Sequence, residues 1–352
     1  MNEPAVKRNL AVGHFYNAPF REACAPLLPR IAEVFFAWPG VLSCRPAPEF
    51  TPEVRARLVS DLRWARANGV RLDTLFNANC YGDEAISTDL ADFVSRMLGE
   101  MEAEGLFPDT VTTTSPFIAR VLRVKYPTVR IRASVNMRIH GSVGFGYAAD
   151  LFDEFYLSRE RQRDLAYAAR MAEWARANGK TVGMQVNSGC LRECPFQTFH
   201  DNLHGHGDGR RPQDRAAADE YGFSFFRCKT HYAAGGDALE DFLRATWIRP
   251  EDVPLWEEAG ISLFKLATRR HPRPVEILRA YAAYSFDGNL PELMDPDHSA
   301  AFAPLVVDNK LFPPDWATSG IGATCAADCT RCGRCSDVFR RVCHAPAVPS
   351  SP

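Results

Sequence analysis

Met184-Gln-Val-Asn-Ser-Gly-Cys-Leu-Arg-Glu-Cys-Pro-Phe-Gln-Thr-Phe-His-Asp-Asn202 reads as the end of a strand running into a pair of cysteines. Residues 181–187 are strand-like, Ser188-Gly189 ends them, and Cys190 and Cys194 follow in a C-x3-C step. A third cysteine, Cys228, comes after a polar insertion, in Arg227-Cys-Lys-Thr-His-Tyr232. Thiols at the mouth of a strand, beside a glycine that lets the backbone approach closely, suit an iron–sulfur cluster or a zinc ion. One such cysteine would read as a small buried hydrophobe. Three in this arrangement read as a metal centre.

The same strand belongs to a series. Working outward, strand patterns fall at 10–14, 33–38, 71–77, 109–113, 129–135, 154–157, 181–187 and 261–266. At 129–135 the alternation is plain, with Val129, Ile131 and Ala133 against Arg130, Arg132 and Ser134. Helices are expected at 21–31, 52–68, 89–104, 115–126, 158–177, 249–258 and 274–284. Thr51-Pro52-Glu53 supplies a cap, a first-turn proline and a first-turn acid. Leu90, Phe93, Val94, Met97, Leu98 and Met101 mark one helical face.

Most of these strands lead into a helix, and one leads into the cysteine-bearing insertion. That alternation argues for parallel βα units, and eight of them for a closed TIM-like (β/α)8 barrel in the α/β class. An open doubly wound sheet is the alternative, but no glycine-rich phosphate loop follows the first strand. Gly141-x-x-Gly144-x-Gly146 reads as a flexible loop. Residues 1–290 are then the barrel, with an insertion at about 188–245, and 291–352 a proline-rich, Cys-rich extension wrapping onto it.

In such a barrel the chemistry sits where strands end. Collected there are His14, Asn17, Cys44, Asn77, Asn79, Ser134, Asn136, Arg138, His140, Arg159, Glu160, Gln185, Asn187, Cys190, Lys265 and Arg269. The set is rich in amides and cations and poor in acids. It suits an anionic substrate beside a metal centre better than paired-carboxylate hydrolysis. Duller readings stand beside it: Asn77 and Asn79 as loop caps, Arg159-Glu160 as a solvated first helical turn. Lys265, between Phe264 and Leu266, should point into the barrel and needs a partner there, with Glu160 a candidate.

The tail reads as a second centre. Cys325-x3-Cys329-x2-Cys332-x2-Cys335 brings four thiols close together, for iron–sulfur or for zinc. Its first three cysteines also have radical-SAM spacing, but that motif belongs near a first strand and here lies past the last.

Composition bounds the rest. The chain has 352 residues, 46% hydrophobic, and a formal net charge of −2, which gives no electrostatic case for nucleic acid or an anionic membrane. No apolar run approaches the roughly eighteen residues of a membrane span. Residues 1–9 carry no apolar signal region, so a cytoplasmic location is expected. There, eleven cysteines are better explained by metal binding than by disulfides.

Three places resemble the collagenase-like "peptidase" family U-32, over about residues 70–285. Arg132-Ala-Ser-Val-Asn136, followed by Phe155-Tyr-Leu-Ser-Arg159-Glu160, is similar to its strand, turn and Arg-Glu segment. Cys190 and Cys194 with Cys228-Lys-Thr-His-Tyr232 resemble its cluster-binding region. Gly260-Ile-Ser-Leu-Phe-Lys-Leu-Ala-Thr-Arg269 resembles its closing strand, with Ala267-Thr268 where the family has Glu-Gly. The resemblance implies a 4Fe–4S cluster and oxygen-independent hydroxylation with prephenate as oxygen donor. Relatives of this kind include heterodimers and enzymes acting on RNA bases. It further implies cluster ligands at Cys190, Cys194 and Cys228, with Cys44 as the fourth and Cys80 or a tail cysteine as alternatives.

The expected function is therefore an iron–sulfur oxidoreductase of the hydroxylase type, acting on a small anionic or aromatic substrate. Lys265, Arg159, Glu160, Asn136 and Arg138 are the candidate catalytic and substrate-holding residues, the cations binding carboxylates by charge-assisted bonds. The three mouth thiols should lie within about 7 Å of one another. A hydrolase is the alternative, although no Ser-His-Asp order or H-E-x-x-H motif appears. A non-catalytic iron–sulfur subunit serving a redox or heterodimer partner is the other.

Overall fold

Eight parallel strands close on themselves in chain order: β1 (Leu10–Gly13), β2 (Ile31–Phe36), β3 (Arg71–Phe76), β4 (Thr110–Thr113), β5 (Arg130–Ala133), β6 (Glu154–Tyr156), β7 (Thr181–Gln185) and β8 (Leu263–Leu266). β8 pairs back onto β1, with Leu10 opposite Phe264 and Val12 opposite Leu266. The expected TIM-like barrel is the observed one. The computed structural model describes residues 7–43, 49–205, 212–318, 329 and 331–346, so Cys44 and Cys325 lie outside the described residues.

Helices α1 (Phe20–Cys24), α2 (Pro52–Ala67), α3 (Thr88–Ala103), α4 (Pro116–Lys125), α5 (Ser142–Tyr147) and α6 (Leu165–Ala177) connect the strands through β7. The insertion after β7 holds α7 (Gln197–Gly205), α8 (Pro212–Glu220), α9 (Arg227–Ala233) and α10 (Asp241–Arg244). α11 (Val253–Glu258) and α12 (Pro274–Ala283) flank β8. The extension contributes α13 (Ser299–Phe302), β9 (Val306–Val307), α14 (Arg334–Val342) and β10 (Cys343–His344), the last pairing antiparallel with β9. Among the described residues no helix is long and apolar enough to cross a membrane.

Local chemistry sets the helix starts. Thr51, Ser87 and Ser115 each accept from the third N–H of their helix, and Pro52 and Pro116 take first positions that need no donor. Three expectations are corrected. The helix expected over 21–31 stops at Cys24 and gives way to a 3₁₀ turn, Ala25–Leu27, where Pro26 withholds an N–H. The helix expected from Ser158 begins only at Leu165, capped by Asp164, because Arg159–Arg161 form a 3₁₀ turn that carries Arg159 inward. The glycine run at 141–146 is not a loop but contains α5, whose Phe145 stacks on Phe155 at 4.3 Å.

Strand alternation sorts the side chains. Val12, Val34, Leu72, Val111, Ile131, Phe155, Phe264 and Leu266 join the large core under the helices, while Ala11, Phe35, Leu75, Tyr156 and Leu263 make a small separate cluster inside the barrel. Beside that cluster lie buried charges. Arg132 donates to Glu33 Oε1 (2.5 Å) and Oε2 (2.8 Å), to Asp73 Oδ2 (3.0 Å) and to Glu154 Oε2 (2.6 Å). Thr112 Oγ1 donates to the same Asp73 oxygen at 2.8 Å. Lys265 points inward as expected, its Nζ 4.2 Å from the Phe35 ring centroid and 5.3 Å from that of Tyr156.

Candidate active site

The mouth is built around the exit of β7. Asn187 ties it to β8 and to the extension: its Oδ1 accepts from the Ala267 N–H at 2.8 Å and its Nδ2 donates to the Leu293 carbonyl at 3.1 Å. The extension then runs alongside Ser188 as an added parallel bridge to Asp295, with Gly189 N–H donating to the Asp295 carbonyl at 2.9 Å. Only glycine fits at 189, since a Cβ there would lie 2.6 Å from the Pro296 carbonyl oxygen. The C-terminal region thus reaches the mouth itself.

Beyond Gly189 comes the cysteine loop. Arg159 is buried, and its Nη1 lies 3.8 Å from Cys190 Sγ. With its amide turned to satisfy both groups, Gln197 accepts from the same guanidinium at 3.0 Å. Asp201 on α7 accepts from Arg138 Nη2 at 3.0 Å and stands 3.9 Å from Arg159 Nη2. Arg138 also donates to Thr198. The two arginines expected to hold a substrate carboxylate therefore clamp α7 over the mouth. Arg138 sits in the left-handed region (φ 53°), a conformation that costs energy for any residue with a side chain and is held here by that clamp.

Cys190, Cys194 and Cys228 share this side of the mouth. Burial raises the Cys194 thiol pKa, and Cys190 adds to the rise. Burial also raises the Tyr232 hydroxyl, with Asp241, Cys228 and Cys190 adding to it in that order. Among the described residues no group of three or more His, Cys, Asp or Glu is arranged to hold a metal ion as it stands. The donor chemistry still suits a cluster: soft thiols, a guanidinium 3.8 Å from one of them, and buried hydroxyls of Ser188 and Tyr232 with no hydrogen-bond partner among the described residues.

The other expected residues have more local work. His14 Nε2 pairs with Asp61 Oδ2 at 3.0 Å, and burial lowers its pKa despite that carboxylate. Asn17 donates to the His271 carbonyl, Ser134 accepts from the Asn136 N–H, and His140 pairs with Ser158. Asn77 is buried, Asn79 Oδ1 is buried with no partner among the described residues, and Cys80 Sγ accepts from the Gly82 N–H at 3.4 Å. Arg269 donates to Ser43 Oγ. Gln185 lies opposite Lys265 in the β7–β8 register. Glu160 is not turned to Lys265 but to the cysteine loop, where its Oε2 accepts from the Glu193 N–H at 2.8 Å. The carboxylate Lys265 acts on is Asp73 instead, whose pKa burial raises to about 7 while Arg132 and, more weakly, Lys265 oppose the rise.

Several residues of this site carry no motif. Asp201, Gln197, Tyr232 and His298 come from the insertion and extension, where no period marks an inward face. His298 Nε2 bonds the Gly189 carbonyl at 3.1 Å, and burial pushes its pKa from 6.5 down to about 4. Between those values the unfolded chain binds the proton and the folded chain does not, so stability is lost as pH falls from about 6.5 to about 4. Thermal midpoints measured across that window should fall less steeply for His298→Gln than for the parent; parallel slopes would remove His298 from the account.

In the tail, Cys335 Sγ approaches the Leu243 carbonyl at 3.8 Å, and Cys329 and Cys335 both act on Arg244. Burial opposes the Arg244 charge, while Asp241 and then these two thiols favour it. Asp241 in turn bonds His231 Nε2 at 2.7 Å, one turn from Cys228.

Comparison with solved structures places this barrel beside the U32 peptidase Mk0906, with a TM-score of 0.51 and 14% identity over 76% of this chain and 95% of that one. The chain has a U32-like fold. A chitinase from Rhizomucor miehei (TM-score 0.39, 11% identity, 78% of this chain and 99% of that one) is more distant. No family model matches the sequence, and no curated protein matches it.

Proposed function

We propose that this chain is an iron–sulfur oxidoreductase working at the mouth of its barrel, by oxygen-independent hydroxylase-type chemistry on a small anionic or aromatic substrate. Behind this stand Cys190 and Cys194 on the mouth loop, with Arg159 3.8 Å from Cys190 Sγ, and Cys228 on α9 four residues before Tyr232, whose ring lies 4.6 Å from that of His298. These cysteines would hold the cluster, which when bound supplies electron transfer. Arg159 offsets thiolate charge while Gln197 and Asp201 keep its guanidinium in place. Asp201, gripped by Arg138, seats α7 over the mouth and limits water. Lys265 supplies the interior cation for a carboxylate, such as those of prephenate as oxygen donor, and Asn136 lines the approach. Cys329, Cys332 and Cys335 would hold a second centre, iron–sulfur or zinc, facing a redox partner.

The name of the similar structure points instead to peptide hydrolysis, which needs an activated nucleophile. His14 is the nearest to a base, but its Nδ1 has no partner among the described residues.

Purified and reconstituted anaerobically with iron and sulfide, the chain should be brown and carry iron and acid-labile sulfide. Cys194→Ser should lose most of the mouth cluster's share of both. A colourless parent that retains neither would overturn the iron–sulfur reading.

A further inference from the structure

Tyr232 is fully buried, yet its hydroxyl has no hydrogen-bond partner among the described residues. A buried phenol ordinarily finds one, because the unmet O–H costs free energy. The surroundings of this one are particular. Cys228 precedes it by four residues on α9, which puts the two side chains on the same helical face. The phenol ring lies 4.6 Å from the His298 imidazole, and His298 Nε2 bonds the carbonyl of Gly189, the residue before Cys190. Tyr232 is thus held between the two cysteine-bearing segments, by its own helix on one side and by His298 on the other.

We propose that Tyr232 is a positioning residue for the mouth centre, its hydroxyl donating to sulfur of the group that Cys190 and Cys228 hold. This rests on the iron–sulfur reading above. A donor to cluster sulfur stabilises the reduced, more negative form and so raises the potential. The ring contacts fix where the hydroxyl sits, since His298 and Phe302 (6.1 Å between centroids) both pack tilted against the phenol. No other described polar group takes up that hydrogen.

Tyr232→Phe removes the one oxygen and keeps the ring. In the reconstituted protein, titrated anaerobically with dithionite, it should retain the parent's iron and sulfide per chain and show a more negative midpoint potential. Phe302→Leu, which loosens the same ring cluster without touching the hydroxyl, should leave the potential at the parent value. An unchanged potential in Tyr232→Phe would overturn the proposal, and so would an equal shift in Phe302→Leu. A parent that binds no cluster overturns the underlying reading as well, which iron and sulfide analysis registers separately.

Discussion

Arg132→Met is expected to leave no folded protein near neutral pH. Arg132 is buried in the barrel interior and is hydrogen-bonded to Glu33, Asp73 and Glu154, all three buried with it. Arg71 reaches Glu33 at 3.5 Å and Arg130 reaches Glu154 at 2.6 Å from the barrel rim, but neither is bonded to Asp73. Methionine fills similar length and takes the cation away. Breaking one buried ion pair by removing a partner costs about 3–5 kcal/mol, and here one cation serves three acids. Whole-domain stability is only about 5–15 kcal/mol.

Two companion measurements sharpen this expectation. Arg132→Lys keeps the charge but not the fork, so it should fold with a lowered midpoint. Burial already lifts the Asp73 pKa to about 7 against the pull of Arg132, so acid should relieve the variant by neutralising the acids. Circular dichroism of Arg132→Met from pH 7, where Asp73 titrates, down to about pH 4 checks the acid relief, and a thermal melt of Arg132→Lys checks its midpoint. A cooperative melt near the parent's at pH 7 would show that these carboxylates simply take up protons, and that the interior network contributes little.

That network also shows what the sequence could and could not yield. The barrel was readable because each βα unit repeats the same local logic: a short alternating or apolar strand, then a capped amphipathic helix. All eight expected strands are present, shifted by a few residues at their ends. Lys265 was readable as inward because period two is strict in a strand flanked by Phe264 and Leu266. The same signal marks Glu33, Asp73 and Glu154, each the lone acid of its strand, although their common partner on β5 follows only from closure. The insertion and extension were different. Asp201 and Tyr232 lie on short helices, and His298 on a segment without period, so which side chains face the mouth depends on tertiary contacts alone. The resemblance to the U-32 family pointed to Cys190, Cys194 and Cys228, while the clamp on α7 came from the structure.

Lys265→Met should leave the fold intact and weaken binding of an anionic substrate by about 10- to 100-fold, the equivalent of about 1.5–3 kcal/mol for a hydrogen bond to a charged group. The ammonium sits inside the barrel over the Phe35 and Tyr156 rings, whose faces favour a cation, and methionine keeps contact with both rings. Its loss should therefore cost little packing. Asp73 remains held by Arg132 and Thr112, so the variant strands no acid, in contrast to Arg132→Met. Those two lysine and arginine changes separate the interior charges into one that holds three buried acids and one whose removal leaves those acids held. Calorimetric titration of the reconstituted protein with prephenate gives the dissociation constant, and thermal melts verify the fold. Parent-like affinity in Lys265→Met would assign this lysine to the barrel's structure and remove the main support for a carboxylate-bearing substrate.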